Sequence, residues 1–270
     1  IRQYAREKLI ESGEAADLAD RHLAAYAEFA GESQEPIRGP AMVDWLDRLD
    51  AEDDNLGNAL EWALEAAPWT AVRMCAALMG YWSARVISQD NEARIVAAID
   101  FATAQVRDRP GADHAEQAIT ALLLGDAARI WGMSGRGIQA FGWAEDAVAL
   151  ADASGDPGAR RAALVGLAVA TVFAGRAGPG GVTVRQIFDE AIELTEQRGE
   201  WWAMAMAAGF AGTSLTTFDP DAGEVLLQRG VVAARRSGSP YAIGVVAMAQ
   251  GRTLGRTGRT DDAVAAFGVS

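Results

Sequence analysis

The sequence predicts an all-α fold, a right-handed superhelix of about five antiparallel helical pairs. Three observations support this prediction: a pattern that recurs about every forty residues, a composition rich in helix-forming residues, and turn residues at matching points of each repeat. A single helical pair cannot bury its own apolar face. The pairs are therefore expected to stack around a core that runs through the whole array.

The repeat is clearest in the C-terminal half of the chain. On each predicted second helix, a small residue is followed four positions later by a packing residue. In three of the four repeats, another small residue comes three positions after the packing residue. The starting residues are Ala140, Val184, Gly223 and Ala263, at intervals of 44, 39 and 40 residues. The following positions are Ala144, Phe188, Leu227 and Phe267, then Ala147, Ala191 and Gly230. Small residues at Ala128, Ala211 and Gly251, twelve positions earlier, are expected to let the paired helices approach closely.

Apolar spacing and punctuation residues predict each helix in turn. Apolar residues at intervals of three and four indicate one helix, or a closely joined pair, over residues 42–67. Ser88 is a candidate N-cap for the helix that follows it, and the Pro110-Gly111 step ends that helix. The predicted helices cover residues 1–12, 15–30, 42–67, 69–87, 91–107, 114–133, 137–153, 157–175, 182–197, 201–218, 221–237, 241–257 and 260–270.

The predicted domain boundary lies near residue 40. Residues 31–40 carry glycine, serine and two prolines, which is typical of an irregular connection. We therefore divide the chain into residues 1–40, two helices and a linker at a junction with an upstream region, and residues 41–270, the repeat domain. The start at Ile1 and the end inside a helical pattern indicate a piece of a longer polypeptide.

Composition limits the possible functions. The formal net charge of −13 argues against direct nucleic-acid binding, which needs a basic face. The single cysteine, Cys75, lies in an apolar run and is expected to be a buried thiol in a reducing, cytoplasmic setting. No stretch approaches the roughly 20 uninterrupted apolar residues of a membrane span, so no membrane association is expected.

Two parts of the sequence resemble known families. The small-residue register resembles a long-helix form of the tetratricopeptide repeat, most closely in residues 251–263. Residues 1–9, and the Trp-Leu-Asp-Arg-Leu of residues 45–49 with Asp-Asn-Leu at 54–56, resemble the region after the winged helix in bacterial STAND-class signal-transduction ATPases. That class includes large LuxR-type and antibiotic-regulator-type transcription factors. The resemblance implies a sensing or regulatory arm, with ATPase and DNA-binding or cyclase parts outside these residues.

No pattern in the sequence predicts catalysis, a cofactor or a metal. The glycine-rich residues 175–181 lack the Gly-Lys-Ser/Thr ending of a phosphate loop. His22 and His114 are far apart, and the acidic residues 50–54 lack the alternation of a calcium loop, so a solvated helix face explains them better. We therefore predict that the chain is not an enzyme.

The predicted function is binding. First helices of a solenoid line its inner face, which makes seven residues candidates for partner contact. They are Trp82, Arg129, Phe173, Arg176, Trp202, Gln250 and Arg252. Arginines on an acidic chain suit an acidic peptide or an anionic effector. Two alternatives stay open: a protein or peptide partner, with homo-oligomers possible, or direct sensing of a sugar or metabolite, as in activators of the maltose-regulon type.

Overall fold

The computed structural model describes residues 14–107, 109, 111–176, 178–216 and 219–268. These residues form thirteen α-helices and one short 3-10 turn, Pro179–Gly181, and contain no strand. The helices are α1 Ala15–Ile37, α2 Met42–Ala51, α3 Asp53–Ala66, α4 Pro68–Ala84, α5 Gln89–Val106, α6 His114–Met133, α7 Gly137–Ser154, α8 Pro157–Ala174, α9 Val184–Arg198, α10 Trp201–Leu215, α11 Pro220–Ser237, α12 Pro240–Arg256 and α13 Thr260–Phe267. The prediction of an all-α repeat solenoid is confirmed.

The helices pair and stack as a solenoid requires. Each of α6, α8, α10 and α12 packs against the helix that follows it, and successive first helices contact one another from α4 through α12. One continuous apolar core includes residues from every helix from α1 to α12. The first helices thus form one wall of the array, and side chains projecting from that wall can converge on shared space.

Small residues stand where the paired helices touch. A Cβ built on Gly223 of α11 would lie 2.8 Å from the carbonyl oxygen of Gly212 in α10, a distance that no real Cβ contact allows. Between α6 and α8, a Cβ on Gly166 would lie 2.4 Å from the carbonyl oxygen of Gly125. Phe188, the large residue of the register, is completely buried. The small/large/small pattern therefore marks close helix contacts.

The predicted junctions between pairs adopt standard stop-and-start geometry. Gly155, Gly199 and Gly238 end their helices with φ near +67°, a conformation that glycine adopts without strain. Asp156 and Ser239 then cap the next helices, accepting hydrogen bonds from the backbone N–H groups three residues later. Ser88 caps α5 in the same way, as predicted.

One predicted feature of the N-terminal part was wrong. Residues 31–37 are not an irregular connection, because α1 continues to Ile37 with Pro36 in its last turn. Ile37 is only 1% exposed, so packing of this residue holds the last turn in place. The predicted helix over residues 1–12 lies outside the described residues, and the division of the chain at residue 40 stays a prediction.

The N-terminal helices also contact the C-terminal repeats. The hydroxyl group of Ser239, at the start of α12, lies 3.5 Å from the sulfur of Met42 in α2. Tyr241 donates a hydrogen bond of 3.2 Å to the backbone carbonyl of Ser83 in α4. These contacts join positions more than 150 residues apart, so the N-terminal helices α2 and α4 pack directly against the start of α12.

Candidate functional site: an arginine-lined cavity

A cavity of about 680 Å³ lies between the C-terminal end of α1 and the starts and ends of α8 to α11. Its volume falls within the range of about 300–1,000 Å³ typical of small-ligand sites. We call it the arginine cavity, because its defining side chains are four arginines and two tryptophans. They are Arg38, Arg161, Arg198, Arg236, Trp201 and Trp202.

Local sequence explains how most of these side chains reach one place. Gly199, in the left-handed conformation, reverses the chain between α9 and α10, so that Arg198, Glu200 and the two tryptophans follow one another around a tight turn. Arg236 is the second-last residue of α11, the second helix of the next pair, and Gly238 ends that helix. Because repeats place equivalent turns side by side, these neighbouring stops meet at one end of the array.

Glu200 forms ion pairs with two of the four arginines. Arg198 donates a hydrogen bond from Nε to Oε1 of Glu200 at 2.5 Å. Nε of Arg161 lies 3.0 Å from Oε2 of the same carboxylate, although the angle does not make a hydrogen bond. The Arg161 side chain is only 11% exposed. Arg161 is therefore ion-paired with Glu200, although its buried Nε makes no hydrogen bond of good geometry to a described residue.

Arg161 is a buried guanidinium with both carboxylates and other arginines nearby. Burial lowers the pKa of its guanidinium, the carboxylates of Asp126 and Glu200 oppose that shift, and the nearby positive charges of Arg38 and Arg129 lower the pKa further. The charge of Arg161 is thus only partly compensated within the protein. An anion bound in the cavity would supply the missing compensation.

The other two arginines lie over aromatic rings in cation–π contacts. The guanidinium carbon of Arg236 lies 4.6 Å from the centre of the Trp201 ring, and that of Arg38 lies 5.8 Å from the centre of the Trp202 ring. A guanidinium placed over a ring keeps its in-plane N–H donors free. Arg236 forms no ion pair with any described residue. Arg38 has one weak partner, Glu35, whose own side chain is 87% exposed.

The charge of the cavity is opposite to that of the chain. Four arginines face two lining carboxylates, Glu35 and Glu200, which leaves an excess of two positive charges on a chain whose formal net charge is −13. Elsewhere, arginines at repeat junctions have carboxylate partners on neighbouring helices: Arg160 with Glu190, Arg229 with Glu196, and Arg259 with Glu224. The lining of this cavity thus carries an excess of positive charge.

Two of the predicted contact residues line a second, smaller cavity of about 260 Å³. Trp82 is 3% exposed and Arg129 is 5% exposed. Arg129 donates a 2.8 Å hydrogen bond to the Ser83 hydroxyl, and its Nε lies 3.6 Å from Asp126. The indole N–H of Trp82 has no hydrogen-bond partner among the described residues. Both side chains therefore belong mainly to the packing between α4 and α6.

The structure does not bring the other predicted residues together. Of the seven, only Trp202 lines the arginine cavity. Phe173 is 55% exposed near the end of α8, and Arg176 lies over the Phe141 ring at 4.5 Å. Gln250 lines a small recess in α12, while Arg252 is exposed. Their roles in partner contact stay predictions.

Sequence reasoning missed all four arginines of the cavity. For Arg198 and Arg236 the repeat pattern offered a signal, because both lie at predicted helix ends. Arg198 directly precedes Gly199, and Arg236 directly precedes Ser237-Gly238. Arg161 stands in the first turn of α8, where it resembles a solvated charge. Arg38 fell within the predicted linker, and only the tertiary structure places it beside Trp202.

Other candidate chemistry is accounted for by packing. Burial raises the pKa of the Cys75 thiol to about 12, which leaves it protonated at neutral pH. The His22 ring packs against Tyr26 in a tilted arrangement, with ring centres 4.5 Å apart. No group of three or more possible metal ligands occurs within the described ranges. One described helix, α8, is long and apolar enough to cross a membrane, but 61% of it is buried, consistent with a core helix of a soluble protein.

The sequence matches no model of a known protein family and no curated protein. The fold defines the class: an all-helical repeat protein whose successive helices stack in one array. The arginine cavity is the feature of that array with the clearest capacity to bind a ligand.

Proposed function

We propose that this chain is the effector-sensing helical-repeat domain of a bacterial transcriptional or signal-transduction regulator. It works in the cytoplasm and has no catalytic activity of its own. The tetratricopeptide-like register and the resemblance of residues 45–56 to STAND-class regulators support the regulatory setting. The arginine cavity supports the sensing role, and it is the observation that carries the proposal.

Charge and size together favour an anionic effector. A guanidinium binds carboxylate or phosphate oxygens through geometrically matched N–H donors, and such hydrogen bonds are about twice as strong as those between neutral groups. Arg236 lines the cavity and lies over the Trp201 ring, which leaves its in-plane N–H donors free. A volume of about 680 Å³ accommodates a metabolite better than a folded partner.

A protein or peptide partner is the second candidate. The exposed Phe173, with Val172 at 39% and Val182 at 42% exposure, forms an apolar surface on either side of the glycine-rich turn after α8. Such a surface fits protein contact. It is small, however, and has no charged anchor as distinctive as the arginine cavity.

Calorimetric titration of the full chain tests the proposal. Three probe sets are compared: anionic metabolites bearing carboxylates or phosphates, neutral sugars including maltose, and an acidic decapeptide. We expect saturable binding of at least one anionic metabolite. If no probe from any set binds with a Kd below about 1 mM, the sensing role is wrong.

A further inference from the structure

We infer that the ligand of the arginine cavity is a small organic anion with at least two negative groups, such as a dicarboxylate, a tricarboxylate or a phosphorylated metabolite. This inference rests on the proposed sensing function and names the chemical class of its effector. It also assigns the effector a position, between Arg38 at the end of α1 and the arginines of α8 and α11.

The number of charges follows from the balance within the cavity. Glu200 is shared by Arg161 and Arg198, so one carboxylate serves two guanidinium groups. The exposed Glu35 compensates Arg38 only weakly, because exposed ion pairs contribute little. Arg236 contacts a ring instead of a carboxylate. A monoanion would leave at least one positive charge without a partner, whereas a dianion neutralises the excess.

The position of the ligand follows from which helices supply the arginines. Arg38 directly follows α1, while Arg161 belongs to α8 and Arg236 to α11. These three arginines line the same cavity and carry like charges, so they repel one another. A polyanion bound between these arginines attracts all of them and so offsets their mutual repulsion. Binding should therefore tighten the contact between α1 and the C-terminal repeats.

Citrate and acetate are the probes that test the inference, used with the full chain at matched ionic strength. Citrate should bind saturably and raise the melting temperature, and acetate at the same ionic strength should not. Arg236→Gln and Arg38→Gln each remove one cavity charge from a side chain that is not fully buried, and each should weaken citrate binding by about tenfold or more. Arg235→Gln is the matched control, because Arg235 is the exposed neighbour on α11 and does not line the cavity.

Hydrogen exchange provides the second readout. Citrate should slow exchange both at residues 34–39 and at residues 236–241, the two sides of the cavity. Slowing on one side only would show that the anion does not bridge the helices and would overturn the assigned position.

The remaining outcomes separate the inference from the proposed function. If acetate stabilises the chain as strongly as citrate, the requirement for two charges is wrong, while anion sensing stands. If Arg235→Gln weakens binding as much as Arg236→Gln, the attraction is diffuse and the cavity is not the site. If a neutral sugar binds and citrate does not, sensing stands and the inference fails. If no probe binds, both fail.

Discussion

Phe188 and Phe173 have the same side chain in opposite environments. Phe188 is fully buried between repeats, whereas Phe173 is 55% exposed near the end of α8. The repeat register correctly identified the first as a packing position. The second was selected as a contact residue only because it lies on a first helix, and its exposure is compatible with that role.

These two residues provide a matched pair for stability measurements. Phe188→Ala should lower the free energy of unfolding by about 3–5 kcal/mol, because it removes buried apolar area and leaves a cavity. Phe173→Ala should change it by no more than about 0.5 kcal/mol. Urea unfolding followed by circular dichroism measures both. Equal effects would contradict the burial difference between the repeat contact and the exposed site.

Helix pairs in this protein depend on glycine at their closest points. At Gly223, a Cβ would lie 2.7 Å from the Thr216 hydroxyl oxygen and 2.8 Å from the Gly212 carbonyl. Gly244, in the interior of α12, has no such neighbour within 4 Å. The two positions therefore separate the packing role of glycine from its intrinsic cost to a helix.

Alanine substitutions at these positions should have opposite effects. Gly223→Ala should destabilise the protein by about 1–3 kcal/mol, because α10 and α11 must move apart. Gly244→Ala should stabilise it by up to about 1 kcal/mol, since alanine is the better helix former. Thermal unfolding of the two variants gives the comparison, and a loss of stability in Gly244→Ala would contradict the open space at that position.

A polar link joins α2 to α4. Asp50 accepts hydrogen bonds from Arg85, the nearest being 2.8 Å from Nη2, and from the Tyr81 hydroxyl at 2.9 Å. The hydrogen bond from Arg85 is the main reason that the pKa of Asp50 lies below its usual value, and the Tyr81 hydroxyl lowers it further. The ionised form of Asp50 is therefore more stable in the folded chain than in the unfolded chain.

The pH dependence of this link has a definite sign. Since the folded pKa is lowered, the stabilisation is fully present above the unfolded pKa of about 3.9 and is lost as the pH falls through the folded pKa. Asp50→Asn should thus destabilise the protein at pH 7, by at most about 1 kcal/mol because the pair is partly exposed. The difference from the wild type should shrink towards pH 3 in urea titrations. A difference that grows on acidification would contradict the assignment.

At the scale of the whole molecule, contacts between distant ends distinguish this array from an open solenoid. Contacts within and between neighbouring repeats are local, and stability is then distributed along the chain. The contacts of Tyr241 with Ser83, of Ser239 with Met42 and of Arg38 with Trp202 are exceptions, because they join the N-terminal helices to later repeats. Ser83 and Tyr241 both line the smaller cavity of about 260 Å³.

Tyr241→Phe tests this closure. The variant removes the hydrogen bond to the Ser83 carbonyl and should cost about 1 kcal/mol. Faster hydrogen exchange is expected near residues 83–88 and 239–242, with little change in the α6–α7 pair. Uniform acceleration across the chain would indicate a general loss of stability instead of a local opening.

Particular residues show how far the sequence could predict the site. Trp202 was accessible to prediction, because adjacent tryptophans at a helix start stand out. Arg161 was not, since an arginine near the start of a helix usually indicates a solvated face. Arg38 could not be found at all without the extension of α1 and the path that follows it. Ligand sites built from several repeats depend on distances between residues that are far apart in sequence.

The sequence alone determined the helical class, the forty-residue repeat, the capped junctions and the small residues at helix contacts. These features are local or periodic, so spacing and residue type are enough to specify them. Only the tertiary structure decided that α1 reaches Ile37, that the first helices meet the last repeats, and that four arginines converge beside two tryptophans. The physical reason is that the stacking of successive helices sets these distances, and small rotations at each step accumulate along the array.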